Sequence, residues 1–154
     1  LMQLVREPAD GPHVDMLDTM KNLRLGEAAV AEKFGVEPGR VGDVLALMGD
    51  SVDNVPGVPG VGPKTATKLV VEHGTMECAL AAAPAMKPGK LRDNLIDHAE
   101  MARLSRVLVE LKRDVPLPDA LDALRLGAIP PEPLRAFLTE HGFRSLAAKL
   151  DAGA

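Results

Sequence analysis

The sequence predicts a mainly α-helical fold that carries a few short edge strands. Apolar residues recur every three or four positions in segments bounded by glycine or proline, which is the pattern of amphipathic helices. The alternation typical of strands occurs only in two short stretches, 14–20 and 106–113. With 154 residues, of which 46% are hydrophobic and 26% charged, the chain is long enough to bury the core of one domain.

The expected helices are separated by glycine and proline signals. The first spans 27–34 and stops at Gly35, and the second spans 38–48, with Asp43 expected on its solvated outer face. Further helices are expected over 63–73, 75–83 and about 90–104, with two or three more in the tail, divided by Pro130-Pro131 and Gly142. The residues expected to pack inside these later helices are Cys78, Leu134, Phe137, Leu138 and Phe143.

The charge distribution favours one polyanion-binding segment over a generally basic protein. The net charge is −4, yet residues 61–113 carry 9 basic and 6 acidic side chains, while residues 1–60 carry 5 basic and 10 acidic. A local excess of lysine and arginine is the electrostatic footprint of a phosphate-binding surface. The chain has no Trp or Tyr and only 3 Phe, which argues against stacking on unpaired bases as the main mode of binding.

Composition also excludes several other classes of protein. A single cysteine cannot form a disulfide within the chain or a cysteine zinc site, and the four histidines have no ligand spacing among themselves. No apolar run is long enough to cross a bilayer, and no secretory signal pattern is present. We therefore expect no membrane partner and a cytoplasmic location.

A glycine-rich turn at 58–66, Val-Pro-Gly-Val-Gly-Pro-Lys-Thr-Ala, is the most specific feature of the chain. Gly60 and Gly62 lack a Cβ, so their backbone can take positive φ and approach a ligand closely. Pro63 suits the first turn of a helix, whose free N–H groups and positive dipole end bind phosphate, with Lys64 beside them. An ordinary connection between two helices is the alternative for an isolated Gly-x-Gly.

Two carboxylates precede this turn. Asp50 and Asp53 are three residues apart at the end of the helix predicted over 38–48, so both can aim oxygens at one side of the helix end. Hard oxygen ligands suit Mg²⁺ or Mn²⁺. Capping or plain solvation is the alternative for an isolated Asp-x-x-Asp pair.

Basic residues after the turn extend the expected phosphate contact. Lys64 and Lys68 are four apart and share one face of their helix, where simple solvation is the alternative for Lys68. Lys87, Lys90 and Arg92 gather at the start of a later helix, where the dipole disfavours cations. That placement suggests an anionic partner, and a solvated cluster is the alternative.

The two motifs resemble known families. Pro-Gly-Val-Gly-Pro-Lys-Thr-Ala resembles the helix–hairpin–helix binders of the DNA backbone, and residues 49–58, Gly-Asp-Ser-Val-Asp-Asn-Val-Pro-Gly-Val, resemble the signature of the 5′ nucleases. Within that family the chain is most similar to the 5′→3′ exonuclease domain of bacterial DNA polymerase I, although Val52 stands where the family often has serine. The resemblance is specific over 49–66 and looser elsewhere.

This resemblance implies a SAM-like, multi-helical fold. Residues 27–154 would form the helical domain, with the helix–hairpin–helix at 55–73, and residues 1–26 would be the edge of a PIN-like α/β nuclease core. The abrupt apolar start at Leu1 indicates a fragment, with the N-terminal α/β half and the polymerase domains of the parent outside this sequence.

The resemblance also implies hydrolysis of duplex or flap DNA, as an exonuclease or flap endonuclease of replication and repair in the bacterial cytoplasm, at the nucleoid. Asp50 and Asp53 would be ligands of a Mg²⁺ or Mn²⁺ site completed by acidic residues outside the chain, so the chain alone is expected to be inactive. In some members K⁺ bridges hairpin carbonyls, here 58–64, to a phosphate. The implied DNA-binding residues are Gly60, Val61, Gly62, Lys64, Thr65, Lys68, Lys87, Lys90 and Arg92.

Two other functions stay open at this point. One is a DNA-binding helix–hairpin–helix module without chemistry. The other is a helix–hairpin–helix DNA glycosylase, which needs a catalytic Asp shortly after the hairpin and often carries a four-cysteine cluster. Here the first acid after the hairpin is Glu72, inside the same helix, and the pair Asp50 and Asp53 has no role in glycosylase chemistry.

Overall fold

Helices account for most of the residues that this computed structural model describes, which are 1–125 and 127–152. The chain divides into two units, Leu1–Arg113 and Asp114–Ala154. The elements of the first unit are β1 (Met16–Asp18), β2 (Leu23–Leu25), α1 (Glu27–Phe34), α2 (Val41–Met48), α3 (Pro63–His73), α4 (Met76–Ala82), α5 (Lys90–Asp97) and α6 (Ala99–Val109). Those of the second are α7 (Pro131–Glu140) and α8 (Arg144–Asp151). None of these described helices has the length and apolar character needed to cross a membrane.

Helix α2 is the centre of the first unit. A helix that is apolar on nearly all sides is stable only when it is buried, and α2 packs against α3, α4 and α6. Its side chains in the core are Val41, Val44, Ala46 and Leu47, none more than 1% exposed. Since the segment of Asp50 and Asp53 follows α2 directly, the core fixes where that segment begins.

Short antiparallel pairing forms the N-terminal edge. Strands β1 and β2 pair with Met16 opposite Leu25, and an isolated bridge joins Arg6 to Val14. The strand predicted over 14–20 is therefore present in shortened form. The division predicted at 26/27 concerns the architecture of the parent family and stays a prediction.

The glycine and cap signals located α1, α3 and α4 well. Gly35 and Gly74 end α1 and α3, and the Thr75 hydroxyl accepts a hydrogen bond from the Cys78 N–H at 3.0 Å at the start of α4. The expectation that Cys78 packs inside was wrong, because its side chain is exposed. The inward face of α4 consists of Met76, Ala79 and Leu80.

The region after residue 90 differs from the prediction. Two helices, α5 and α6, meet at His98 instead of one helix ending near Leu104, and the strand predicted over 106–113 is wrong. Val107, Val109 and Leu111 do alternate, but Ala102, Ser105 and Val109 recur at helical spacing and form the buried side of α6. Packing of that side on α2 favours the helical period over the two-residue period of a strand, so α6 continues to Val109.

The placement of Asp43 was also predicted incorrectly. Its side chain is buried, and Oδ1 accepts a hydrogen bond from the Met76 N–H at 3.3 Å. Arg106 Nε lies 3.7 Å from Oδ1, and Arg40 Nη1 lies 3.9 Å from Oδ2. A buried carboxylate needs such partners, so Asp43 links α2 to α4 and α6 instead of facing solvent.

Ser105 joins α6 to the segment that follows α2. Its hydroxyl is fully buried, donates to the Met101 carbonyl at 2.8 Å and accepts from the Gly57 N–H at 3.0 Å. Gly57 is itself buried, so its N–H has no water to replace this acceptor.

Ser105→Ala is therefore expected to lower the free energy of unfolding by about 1–3 kcal/mol, the cost of leaving a buried N–H without a partner. Urea denaturation followed by circular dichroism measures this. Ser51→Ala, at an exposed serine of the same unit, is the matched control and should change stability by less than about 0.5 kcal/mol. Equal effects of the two substitutions would contradict the role given to Ser105.

The second unit contains α7 and α8, joined at Gly142 and Phe143. Of the four residues predicted to lie in the core here, Leu138 is buried and Leu134 is partly buried. Phe137 and Phe143 are each about half exposed, and their rings stack with centroids 6.3 Å apart. The expectation of a core at both phenylalanines was wrong, because a pair of short helices has too little surface to enclose them. An ion pair between Arg135 and Asp151 also links α7 to α8.

Candidate nucleic-acid interface and metal ligands

Asp50 and Asp53 lie in a tight turn just after α2. Asp50 and Val55 exchange two backbone hydrogen bonds, Asp50 N to Val55 O at 3.0 Å and Val55 N to Asp50 O at 2.8 Å. Asn54 has φ +56°, which closes the turn. The helix ends at Met48 as predicted, and the two carboxylates lie in the chain reversal that follows it.

The turn leaves both carboxylates accessible. Asp50 is partly buried and its Oδ1 accepts a hydrogen bond from the Val52 N–H at 3.0 Å, while Asp53 is exposed. Neither carboxylate forms an ion pair with a basic side chain in the described part of the chain. Their oxygens are hard donors that fit Mg²⁺ or Mn²⁺. No cluster of three or more His, Cys, Asp or Glu residues suited to a metal ion occurs among the described residues, so these two form only part of a ligand set.

In the glycine-rich turn the valine side chains point into the core and the backbone faces the surface. Val58 and Val61 are 2% and 4% exposed and belong to the core. Val58 N donates to Leu47 O at 2.8 Å, and Val61 N donates to Val58 O at 3.1 Å. Gly60 takes the positive φ of +77° that this reversal requires. Because the valines fill the core, Pro59, Gly60 and Gly62 are left at the surface.

The start of α3 offers unsatisfied backbone donors. Pro63 is the first helical residue, and no side chain caps the helix at Gly62. No acidic residue lies in the first turn, and the first helix hydrogen bond runs from Ala66 N to Gly62 O at 2.9 Å. The N–H groups of Lys64 and Thr65 therefore stay free for an anion.

Gly62 does not use the positive φ that is open to a glycine. Its φ of −92° and ψ of 178° are extended, a conformation open to any residue. A Cβ at Gly62 would meet no atom within 4 Å, so this residue borders open space next to the uncapped start of α3.

Asn94 is a contact that the sequence did not predict. From α5 its Nδ2 donates to the Pro59 carbonyl at 2.6 Å, which ties the outer end of the turn to a second helix. The nearest atom to a Cβ placed on Gly60 is the same Nδ2, at 3.3 Å. No local pattern could indicate this role, because 35 residues separate the two partners.

The predicted basic residues fall into two groups. Lys68 lies between two clefts: one of about 410 Å³, shared with Lys64, and one of about 560 Å³, shared with Thr65 and Lys87. Lys90 begins α5 and is exposed outside both clefts. Arg92 also lies outside them, with its Nε 3.0 Å from Asp93 Oδ1. The structure therefore brings Lys64, Thr65, Lys68 and Lys87 together around α3.

Comparison with known families agrees with this geometry. The family described as 5′-3′ exonuclease, C-terminal SAM fold, matches residues 36–132, a span that contains all of the candidate site residues. The chain belongs to this 5′-3′ exonuclease family.

Curated relatives of this family member are DNA polymerases I. That of Rhizobium leguminosarum is 46% identical over 146 residues, which are 95% of this chain and 14% of the relative. That of Bacillus caldotenax is 40% identical over 92% of this chain and 16% of the relative. The thermostable DNA polymerase I of Thermus filiformis is 44% identical over 76% of this chain and 14% of the relative. The chain spans about one seventh of the length of these relatives.

The match favours the 5′-3′ exonuclease family over the two alternatives left open by the sequence. A helix–hairpin–helix glycosylase would share the turn at 58–66 but not a family match that extends across Asp50 and Asp53 to residue 132. The SAM fold in the description of the family agrees with the mainly helical architecture predicted from the sequence.

Proposed function

We propose that this chain supplies duplex-DNA binding and two metal ligands to the 5′→3′ exonuclease, or flap endonuclease, of a bacterial DNA polymerase I. The observation that carries the proposal is the uncapped start of α3, with its free N–H groups beside Lys64 and open space at Gly62. The turn of Asp50 and Asp53 belongs to the same packed segment, since Val58 binds back to Leu47 of α2. This packing supports a fixed position of the proposed phosphate-binding turn relative to the two carboxylates.

Each residue has a distinct task in this proposal. The N–H groups of Lys64 and Thr65 bind a non-bridging phosphate oxygen, and Lys64, Lys68 and Lys87 neutralise neighbouring phosphates. Lys90 and Arg92, both in α5, contact the DNA backbone further along. Arg92 does so by exchanging its hydrogen bond to Asp93 for one to a phosphate. Gly60, Val61 and Gly62 form the turn, and Val61 acts through its buried side chain because its N–H already donates to Val58.

Asp50 and Asp53 would hold Mg²⁺ or Mn²⁺ together with acidic groups from parts of the polymerase outside this chain. A metal bound there supplies a Lewis acid and lowers the pKa of water for phosphodiester hydrolysis. The turn orients the carboxylates, and the Asp50 side chain accepts a hydrogen bond from the Val52 N–H. K⁺ at 58–64 would use carbonyls of the turn; Pro59 O already accepts from Asn94, which leaves it one lone pair.

The biological setting follows from the chemistry. A duplex-binding nuclease with these relatives would act on flaps and ends during DNA replication and repair, at the nucleoid in the bacterial cytoplasm.

The binding part of the proposal can be tested on this chain. We expect weak duplex binding without sequence preference, with a micromolar or weaker dissociation constant and a log–log salt slope of roughly −2 to −4. Gly62→Val should reduce affinity at least about tenfold by filling the space next to the uncapped start of α3. Lys68→Ala should only weaken binding and flatten the slope by about one unit. Fluorescence anisotropy with a labelled duplex at several salt concentrations measures both.

Gly39→Val is the matched control, because a Cβ at Gly39 also meets nothing within 4 Å and the residue lies outside the hairpin. It should bind like the unchanged chain. If Gly62→Val keeps its circular dichroism spectrum and binds duplex as tightly as this control, the turn is purely structural and the proposal fails.

A further inference from the structure

A groove of about 410 Å³ runs between the end of α1 and the exposed face of α3. Three lysines line it: Lys64 and Lys68 from α3, and Lys33 from the last turn of α1. None of the described residues that line it is acidic. We call it the basic groove. Sequence reasoning assigned no role to Lys33, which lies 31 positions before Lys64 and outside the positive segment 61–113.

The geometry of the basic groove is fixed by a contact at its floor. Thr67 Oγ1 donates to the Phe34 carbonyl at 2.9 Å, which ties the end of α1 to the middle of α3. Gly35 is in close contact with the same threonine: a Cβ there would lie 2.5 Å from Thr67 Cγ2. Because the two helices are joined at this point, Lys33 has a defined position relative to Lys64 and Lys68.

The three lysines differ from most arginines of this unit in having no carboxylate partner. Arg40, Arg92 and Arg103 all form ion pairs. The hydrogen bonds that the Arg103 guanidinium donates to Glu77 and to Glu100 raise the pKa of Arg103 above its usual value. No ion pair involves Lys33, Lys64 or Lys68 within 1–125 and 127–152. Lys33 Nζ lies 5.4 Å from the centre of the Phe34 ring, a weak contact that an exposed lysine exchanges readily.

We infer that Lys33 is a further phosphate-binding cation, beside Lys64 and Lys68 in the basic groove, and that this groove holds the DNA backbone phosphate next to the one bound at the start of α3. The inference rests on the proposed function and adds α1 to its DNA-binding surface. Lys64 lies both in the basic groove and at the start of α3. This position favours, as the ligand, a continuous polyanion with closely spaced phosphates over an acidic peptide. Three ammonium groups without a carboxylate partner can neutralise the unit charges of these two neighbouring phosphates.

The end of a helix normally disfavours an anion, because its last carbonyls carry partial negative charge. In α1 this effect is reduced. The Phe34 carbonyl accepts from the Thr67 hydroxyl, and the Ala31 carbonyl accepts from the Gly35 N–H at 2.8 Å. The field at the groove is therefore set mainly by the lysines.

Lys33→Gln tests the inference in the full 154-residue chain. One phosphate contact contributes about 0.9 to the log–log salt slope, which corresponds to about fivefold in affinity at 0.15 M salt. We expect a labelled duplex to bind about fivefold more weakly to Lys33→Gln, with a slope shallower by about 0.9, and Lys33→Arg to restore both. Arg103→Gln removes the same charge from an exposed, ion-paired site of the same unit and should change affinity less than about twofold.

Three other results would count against the inference. If Lys33→Gln behaves like Arg103→Gln while Gly62→Val still reduces affinity at least about tenfold, Lys33 is not a contact and the proposed function survives. If Gly62→Val and Lys68→Ala also bind normally, both the inference about Lys33 and the proposed function fail. If polyglutamate displaces the duplex from the unchanged chain, and loses affinity with Lys33→Gln, the groove is a general acidic-peptide site.

Discussion

Replacement of Gly57 by alanine is expected to destabilise the first unit by about 3–5 kcal/mol, a large part of the 5–15 kcal/mol typical of a folded domain. Gly57 has φ +65°, which costs an L-residue about 1–2 kcal/mol. Most of the destabilisation is steric, since an added Cβ would lie 2.3 Å from Gly49 N and 2.6 Å from the Met48 carbonyl carbon. Both atoms are backbone at the end of α2, so no side chain can move to relieve the contact.

Urea denaturation followed by circular dichroism measures this effect, and Gly39→Ala is the control. A Cβ at Gly39 meets nothing within 4 Å, so that substitution should change the free energy of unfolding by less than about 1 kcal/mol in either direction. A Gly57→Ala chain that unfolds at the same urea concentration as Gly39→Ala would show that the segment 49–57 rearranges freely. The rigid attachment of the two carboxylates to α2 would then be wrong.

The sequence predicted those helices whose ends are set by nearby residues. Gly35 and Gly74 stop α1 and α3, and Pro63 begins α3, because each acts through its own backbone geometry. The glycine-rich turn at 58–66 belongs partly to the same class, since its valines, glycines and lysine lie within a few positions of each other. For such features the local sequence contains the whole physical cause.

Predictions failed where a residue far away in the sequence determines the local structure. Residues 106–109 satisfy both a strand and a helix pattern, and only the packing of α6 on α2 selects the helix. Asp43 looked solvated because its partners, Arg106 and the Met76 N–H, come from other helices. Asn94 binds the Pro59 carbonyl from 35 positions away, and Ser105 binds the Gly57 N–H from 48 positions away. No periodicity or motif carries that information.

In the intact DNA polymerase I to which we propose this chain belongs, Asp50→Asn and Asp53→Asn are each expected to lower the rate of 5′ cleavage by about a hundredfold or more, or ~2.7 kcal/mol of barrier. An amide keeps the shape of the turn, including the bond from the Val52 N–H to the side-chain oxygen at position 50. It removes the negative charge that a divalent cation requires. The loss should therefore be catalytic and not structural.

Single-turnover cleavage of a flap substrate, with duplex affinity measured in parallel, separates a catalytic loss from a structural one. Affinity should stay the same or increase slightly, because a negative charge near phosphates has been removed. Asp97→Asn, at an exposed aspartate of α5, is the matched control and should leave both quantities unchanged. We expect the isolated 154-residue chain to show no cleavage in the same assay. Rates within about threefold of the unchanged polymerase for both variants, under ~1 kcal/mol of barrier, would show that these carboxylates only shape the turn.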